Sequence, residues 1–79
     1  MTRVAIIDDH DLLRFGLKTV LAHSGDMTVV GERSNGEGAS AFLKKVGADV
    51  VVLDLRMPVV DGLAALEDIR ANEIGRAHV

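Results

Sequence analysis

The chain has 79 residues, 48% hydrophobic and 27% charged, which fits one small globular unit and leaves no room for a second domain. Nine Lys and Arg against twelve Asp and Glu give a formal net charge of -3, so no overall basic field exists to hold nucleic acid phosphates, and two Phe without Tyr or Trp offer no stacking platform for bases. The absence of Cys excludes disulfides, thiolate nucleophiles and Cys-ligated zinc, and no apolar run approaches the roughly 20 residues of a membrane span.

The first apolar run, Val4-Ala5-Ile6-Ile7, is continuous and stops at Asp8-Asp9-His10-Asp11, the pattern of a strand buried on both faces. From Leu12 the spacing becomes helical. Leu12, Leu13, Phe15, Leu17, Val20 and Leu21 predict an inward stripe, with Arg14, Lys18 and His23 opposite, Asp9 or Asp11 as the cap and Gly25 as the stop. Met27 to Glu32 is short and β-branched, a second strand. Ser34 and Glu37 have capping-box spacing ahead of a second helix that carries Ala39, Phe42, Leu43 and Val46 and ends at Gly47. Val50-Val51-Val52-Leu53 is the third strand, and it too stops at an aspartate, Asp54. A loop from Leu55 to Val60 holds the only proline, Pro58, and Asp61 is expected to cap a third helix with Leu63, Leu66 and Ile69 inward and Glu67, Asp68 and Arg70 in water.

Fully apolar strands alternating with amphipathic helices call for an α/β fold, βαβαβα, with a three-stranded parallel sheet between helices. Right-handed crossovers give the order 2-1-3 if the winding direction reverses after the second strand. Such a reversal makes a switch point between the first and third strands, where ligands bind in open α/β sheets. The strand ends meeting there are Asp8-Asp9 and Asp54.

Three carboxylates at neighbouring strand ends repel unless they protonate or share a cation. Oxygen-only donors select a hard ion, and Mg2+ suits them best because it accepts one or two carboxylates, several waters and a phosphate oxygen. Successive side chains of an extended strand point to opposite faces, so Asp8 and Asp9 are not expected to aim at one ion together. Asp9, already in the turn, is the better direct ligand, Asp8 acts through a bound water, and Asp54 both touches the ion and offers a carboxylate nucleophile to phosphorus. Asp11, Asp49 and Asp61 read as turn or capping residues, His10 as a solvated loop residue, His23 as a charge at a helix end, and Met57 as a loop plug. The glycines between Gly31 and Gly38 match no nucleotide-binding loop.

Ile6-Ile7-Asp8-Asp9-His10, then Leu12-Leu13-Arg14 and Gly16-Leu17, together with Val51-Val52-Leu53-Asp54-Leu55-Arg56-Met57-Pro58-Val59-Val60-Asp61-Gly62, closely resemble the receiver domain of bacterial two-component response regulators. The flavour is that of NarL-type transcription regulators, in which a receiver precedes a helix-turn-helix domain. The resemblance implies a flavodoxin-like doubly wound fold of which residues 1–72 are the N-terminal part. It also implies Asp54 as phosphoacceptor, Mg2+ held by Asp9 and Asp54 with Asp8 through water, and a further ligand from the backbone carbonyl of Arg56. A sensor histidine kinase is the implied phosphoryl donor, and a DNA-binding output domain and dimerisation belong to the full-length parent rather than to this stretch. The implied module is cytoplasmic, binds neither nucleic acid nor membrane through these residues, and is not an enzyme.

The family continues through two further strands and helices that supply a hydroxyl residue and a lysine. Lys18, Lys44 and Lys45 stand on helices and are not expected to replace that lysine, so these 79 residues alone are not expected to be fully competent. Glu73 to Val79 does not resemble a receiver continuation. Its back-translation fits a common sequencing adapter followed by an in-frame stop, so 73–79 is expected to be a non-native tail, and the third strand is then expected to be an open edge. Two other readings remain. Asp9-His10-Asp11 has the D-x-D form of aspartate-nucleophile, Mg-dependent phosphohydrolases, although Leu13 stands where those usually carry Thr or Val, and the aspartates could instead be relics in a phosphorylation-independent interaction module.

Overall fold

The computed structural model describes residues 1–54, 62–72 and 76–78. The expected loop over Leu55 to Val60, with Arg56, Met57 and Pro58, lies outside the described residues, as does Asp61. The elements run β1 (Thr2–Ile7), α1 (Asp11–His23), β2 (Met27–Arg33), α2 (Ala39–Val46), β3 (Val50–Leu53), α3 (Gly62–Ala71) and β4 (Arg76–His78). They form one parallel sheet in the order β2-β1-β3-β4, so the expected 2-1-3 arrangement is borne out. The step from β1 to β2 crosses the sheet one way and the later steps cross it the other. Right-handed connections therefore put α1 on one face and α2 and α3 on the opposite one. No helix among the described residues is long and apolar enough to cross a membrane.

The main core lies on the α2 and α3 face. Ala5 and Ile7 of β1 and Val51 and Leu53 of β3 pack with Ala39 and Leu43 of α2 and Ala65 and Ile69 of α3, and Phe42, Val46 and Leu66 close the margin. Val4 and Ile6, equally buried, alternate to the other face, so β1 is covered on both sides as its unbroken apolar run requires. Gly31 of β2 permits this close approach, since a Cβ there would stand 2.9 Å from Cζ of Phe42 and 3.0 Å from Cγ1 of Val46.

Four local expectations change. The stripe of α1 that faces the sheet is Arg14, Leu17, Lys18 and Leu21, all half-buried, whereas Leu12, Leu13, Phe15 and Val20 are exposed. The cause is Glu32 on β2, which pairs with both Arg14 and Lys18 and turns the charged residues inward. On α3 the buried pair is Ala65 and Ile69, and Leu63 is exposed. The Ser34 to Glu37 capping box does not form: α2 starts after Gly38, which has φ 65°, and the Ser40 amide donates instead to Asp68 of α3 at 2.9 Å. Asp68 therefore serves α2 rather than water alone.

The sequence pattern marks three strands and an open edge, and the structure adds a fourth. Val50 pairs with Arg76, Val51 with Ala77 and Val52 with His78. A valine-rich parallel edge presents unpaired amides and carbonyls that an extended segment can take up through its backbone alone.

Candidate functional site

Registration of β1 against β3 decides which side chains meet at the sheet's carboxyl end. Val4 to Ile7 pair in step with Val50 to Leu53. Arg3 helps to set this register at the opposite end, where its guanidinium donates to the carbonyls of Gly47 at 2.7 Å and Val46 at 2.6 Å. Its main chain donates to Asp49 Oδ2 at 2.9 Å and accepts from the Asp49 amide at 2.7 Å. Asp49, expected as a turn or capping residue, instead binds the main chain of Arg3 at the entry of β3. Because Ile7 and Leu53 are partners, Asp8 and Asp54 are the first residues beyond two adjacent strands. Their amides are both anchored: Asp8 donates to the Arg33 carbonyl and Asp54 to the Ile7 carbonyl, each at 3.0 Å.

Strand geometry ends at Ile7, so the alternation that would part Asp8 from Asp9 no longer holds. The Asp8 side chain folds back, its Oδ1 accepting the His10 amide at 2.7 Å, and the chain turns at once into α1. In that turn one donor atom each from Asp8, Asp9 and His10 lies within 4.8 Å of the others. Asp8 is 4% exposed, while Asp9 and His10 are open to solvent. His10, read from the sequence as a solvated loop residue, is therefore both exposed and a neighbour of the carboxylates. Its position directly after the acidic pair was the available signal, because a turn following a strand gathers consecutive side chains that a strand would separate. Neither Asp9 nor Asp11 caps α1 by side chain. His10 occupies the N-cap position without a side-chain bond, and Asp11 begins the helix and pairs with Arg14.

The donor chemistry fits a hard divalent cation. A carboxylate has about four lone-pair positions, and the His10 amide takes one of those on Asp8. Asp9 adds an accessible carboxylate, and Asp54 stands at the next strand end. The Arg56 carbonyl lies outside the described residues.

Beside the cluster, Arg14 Nε donates to Glu32 Oε1 at 3.0 Å and Lys18 Nζ lies 2.5 Å from Glu32 Oε2. Lys18 first, then Arg14, holds the Glu32 carboxyl below its usual range, and Glu32 is the main cause of a raised Arg14. Because the folded-state value of Glu32 is depressed, the stability it contributes is present above the ordinary carboxylate range. It is lost as pH falls through the lower folded value. Glu32→Gln should thus cost about 0.2–1 kcal/mol per ion pair at neutral pH, and the gap from wild type should close on acidification. Denaturant titrations across pH measure it, and a gap that persists in acid would refute an ionic origin.

The chain matches the family model of the response regulator receiver domain over residues 4–78. It is 39% identical over 71 residues to the nitrate/nitrite response regulator protein NarL of Escherichia coli, covering 90% of this chain and 33% of that protein. Over 67 residues it is 39% identical to the transcriptional regulatory protein DegU of Brevibacillus brevis, covering 85% of this chain and 28% of that one. The structure superposes on the response regulator domain of Thermotoga maritima CheB with a TM-score of 0.90 at 31% identity, covering 98% of this chain and 57% of that chain. The chain therefore spans about a third or less of the length of these two curated relatives.

Proposed function

The chain belongs to the response regulator receiver domain family, and from that premise we propose that in the full-length parent it accepts a phosphoryl group on Asp54 from a sensor histidine kinase, with Mg2+ bound by Asp9 and Asp54 and, through water, by Asp8. The observation that carries the proposal is the placement of Asp8 and Asp54 directly beyond paired residues of adjacent strands, on the side where Asp8, Asp9 and His10 gather their donor atoms. The ion would supply charge neutralisation for the oxygens of the transferring phosphoryl group. Asp54 attacks phosphorus with a carboxylate oxygen; an O–P bond forms as the P–N bond to the donor imidazole breaks, and the imidazole leaves with a proton from solvent. Asp8 and Asp9 hold the negative charge that attracts the cation. The Asp54 amide, tied to the Ile7 carbonyl, fixes where the nucleophile starts.

In the parent protein the consequence is passed to an output domain, for which DNA-binding transcription control is the reading that relatives such as DegU support. A cytoplasmic location and a non-enzymatic role for this module follow from the same reading. The test is to incubate the full-length parent with a small phosphodonor and Mg2+ and to map the label; the 79-residue chain, without the family's lysine, should label poorly under the same conditions. Label on Asp54, in an acid-tolerant, base- and hydroxylamine-labile bond, is expected. Label confined to Asp9 or Asp11 would overturn the assignment in favour of a phosphohydrolase-like reaction.

A further inference from the structure

We infer that Arg14 is a positioning residue for the Asp8, Asp9 and His10 cluster, holding the main chain of Asp8 so that the donors converge, and this rests on the metal-binding reading above. Arg14 Nη1 donates to the Asp8 carbonyl at 2.5 Å, the first carbonyl beyond the end of β1. The same guanidinium bonds Glu32 on β2 and the carboxylate of Asp11 in the first turn of α1. One planar fork thus ties together the strand end, the neighbouring strand and the helix start that border the Asp8 to His10 turn.

Where the cation puts its charge matters as much as what it holds. Its ionic partners are Asp11 and Glu32, and its bond to Asp8 goes to the backbone. Among the described contacts of Arg14, none reaches the Asp8 or Asp9 carboxylate, so the turn is braced without a competing cation on the metal donors. Its side chain is 13% exposed, so the brace is shielded from water. Two further bonds restrain the turn: the Asp8 amide donates to the Arg33 carbonyl of β2 at 3.0 Å, and the His10 amide donates to Asp8 Oδ1 within the turn itself; of the three, the Arg14 fork is the one that also holds Asp11 at the start of α1.

The probe is Mn2+, titrated into the 79-residue protein and followed by electron paramagnetic resonance of the free ion. Arg14→Met should weaken Mn2+ binding by roughly 10- to 100-fold, the usual range for groups that orient ligands. Arg14→Lys keeps the charge but not the fork, and should weaken it as well. Lys18→Met removes the neighbouring ion pair with Glu32 one turn further along and should leave the affinity within about twofold of wild type, since it does not touch the turn. Without metal, the His10 amide 15N resonance should move in Arg14→Met and stay in place in Lys18→Met. Wild-type Mn2+ affinity in either Arg14 variant, or an equal loss in Lys18→Met, would overturn the positioning role. Asp9→Ala separates the two questions: it should abolish binding, and if it binds Mn2+ as tightly as wild type, the metal reading itself fails whatever Arg14 does.

Discussion

Asp54→Asn should abolish phosphoryl incorporation while leaving the fold intact. An amide of the same size cannot act as the anionic oxygen nucleophile that a carboxylate provides, so the expected loss is complete rather than graded. The backbone at this position is unaffected, because it is the residue 54 amide that donates to the Ile7 carbonyl and continues the β1 to β3 pairing. Asn matches Asp in size at this half-buried position, so a urea titration of the variant should still show a cooperative unfolding transition. Mass spectrometry of the full-length parent after exposure to a small phosphodonor and Mg2+ gives the ratio of labelled variant to labelled wild type. Label surviving in the variant would remove Asp54 from the reaction.

Leu43→Ala should come close to unfolding the protein. Leu43 is 1% exposed on α2 and packs in the cluster formed with Ala5, Ile7, Ala39, Val51, Leu53, Ala65 and Ile69. Burial of this kind makes a Leu to Ala change cost about 2–5 kcal/mol. Three of its neighbours are alanines, which have no side chain to swing into the cavity, so the upper part of that range is expected. A chain of 79 residues at about 0.05–0.15 kcal/mol per residue has only about 4–12 kcal/mol of stability in total. The matched comparison is Leu12→Ala on α1, where the side chain is 80% exposed and the change should stay within about 0.5 kcal/mol. Denaturant midpoints for the two variants check both statements. A loss at Leu12 as large as that at Leu43 would mean that the outer face of α1 is covered in solution.

The sequence by itself determined the elements whose evidence is local. The runs at Val4 to Ile7 and Val50 to Leu53 announced strands because only a strand covered on both faces lacks polar alternation, and handedness then ordered them. The α2 stripe of Ala39, Phe42, Leu43 and Val46 was legible for the same reason, since its spacing and its Gly47 stop, at φ 66°, depend on residues within one helix. The strand-end aspartates were legible because topology alone brings the ends of β1 and β3 together.

Tertiary structure decided what depends on which element lies alongside. Periodicity puts Arg14 and Lys18 on the outer side of α1, yet Glu32, contributed by a strand reached only after the helix ends, draws them inward and leaves Leu12 and Phe15 exposed. The N-terminus of α2 found its acceptor in Asp68, 28 residues beyond Ser40, rather than in the nearby capping-box pair. Asp8, Asp9 and His10 converge because the strand ends one residue before them and Asp8 turns back on the His10 amide, and the β3 edge is covered because its open valines could pair with Arg76 to His78. In each case the deciding partner is distant in sequence or the deciding bond forms only in the folded turn, and hydrophobic periodicity, which compares residues a few positions apart, carries no term for either.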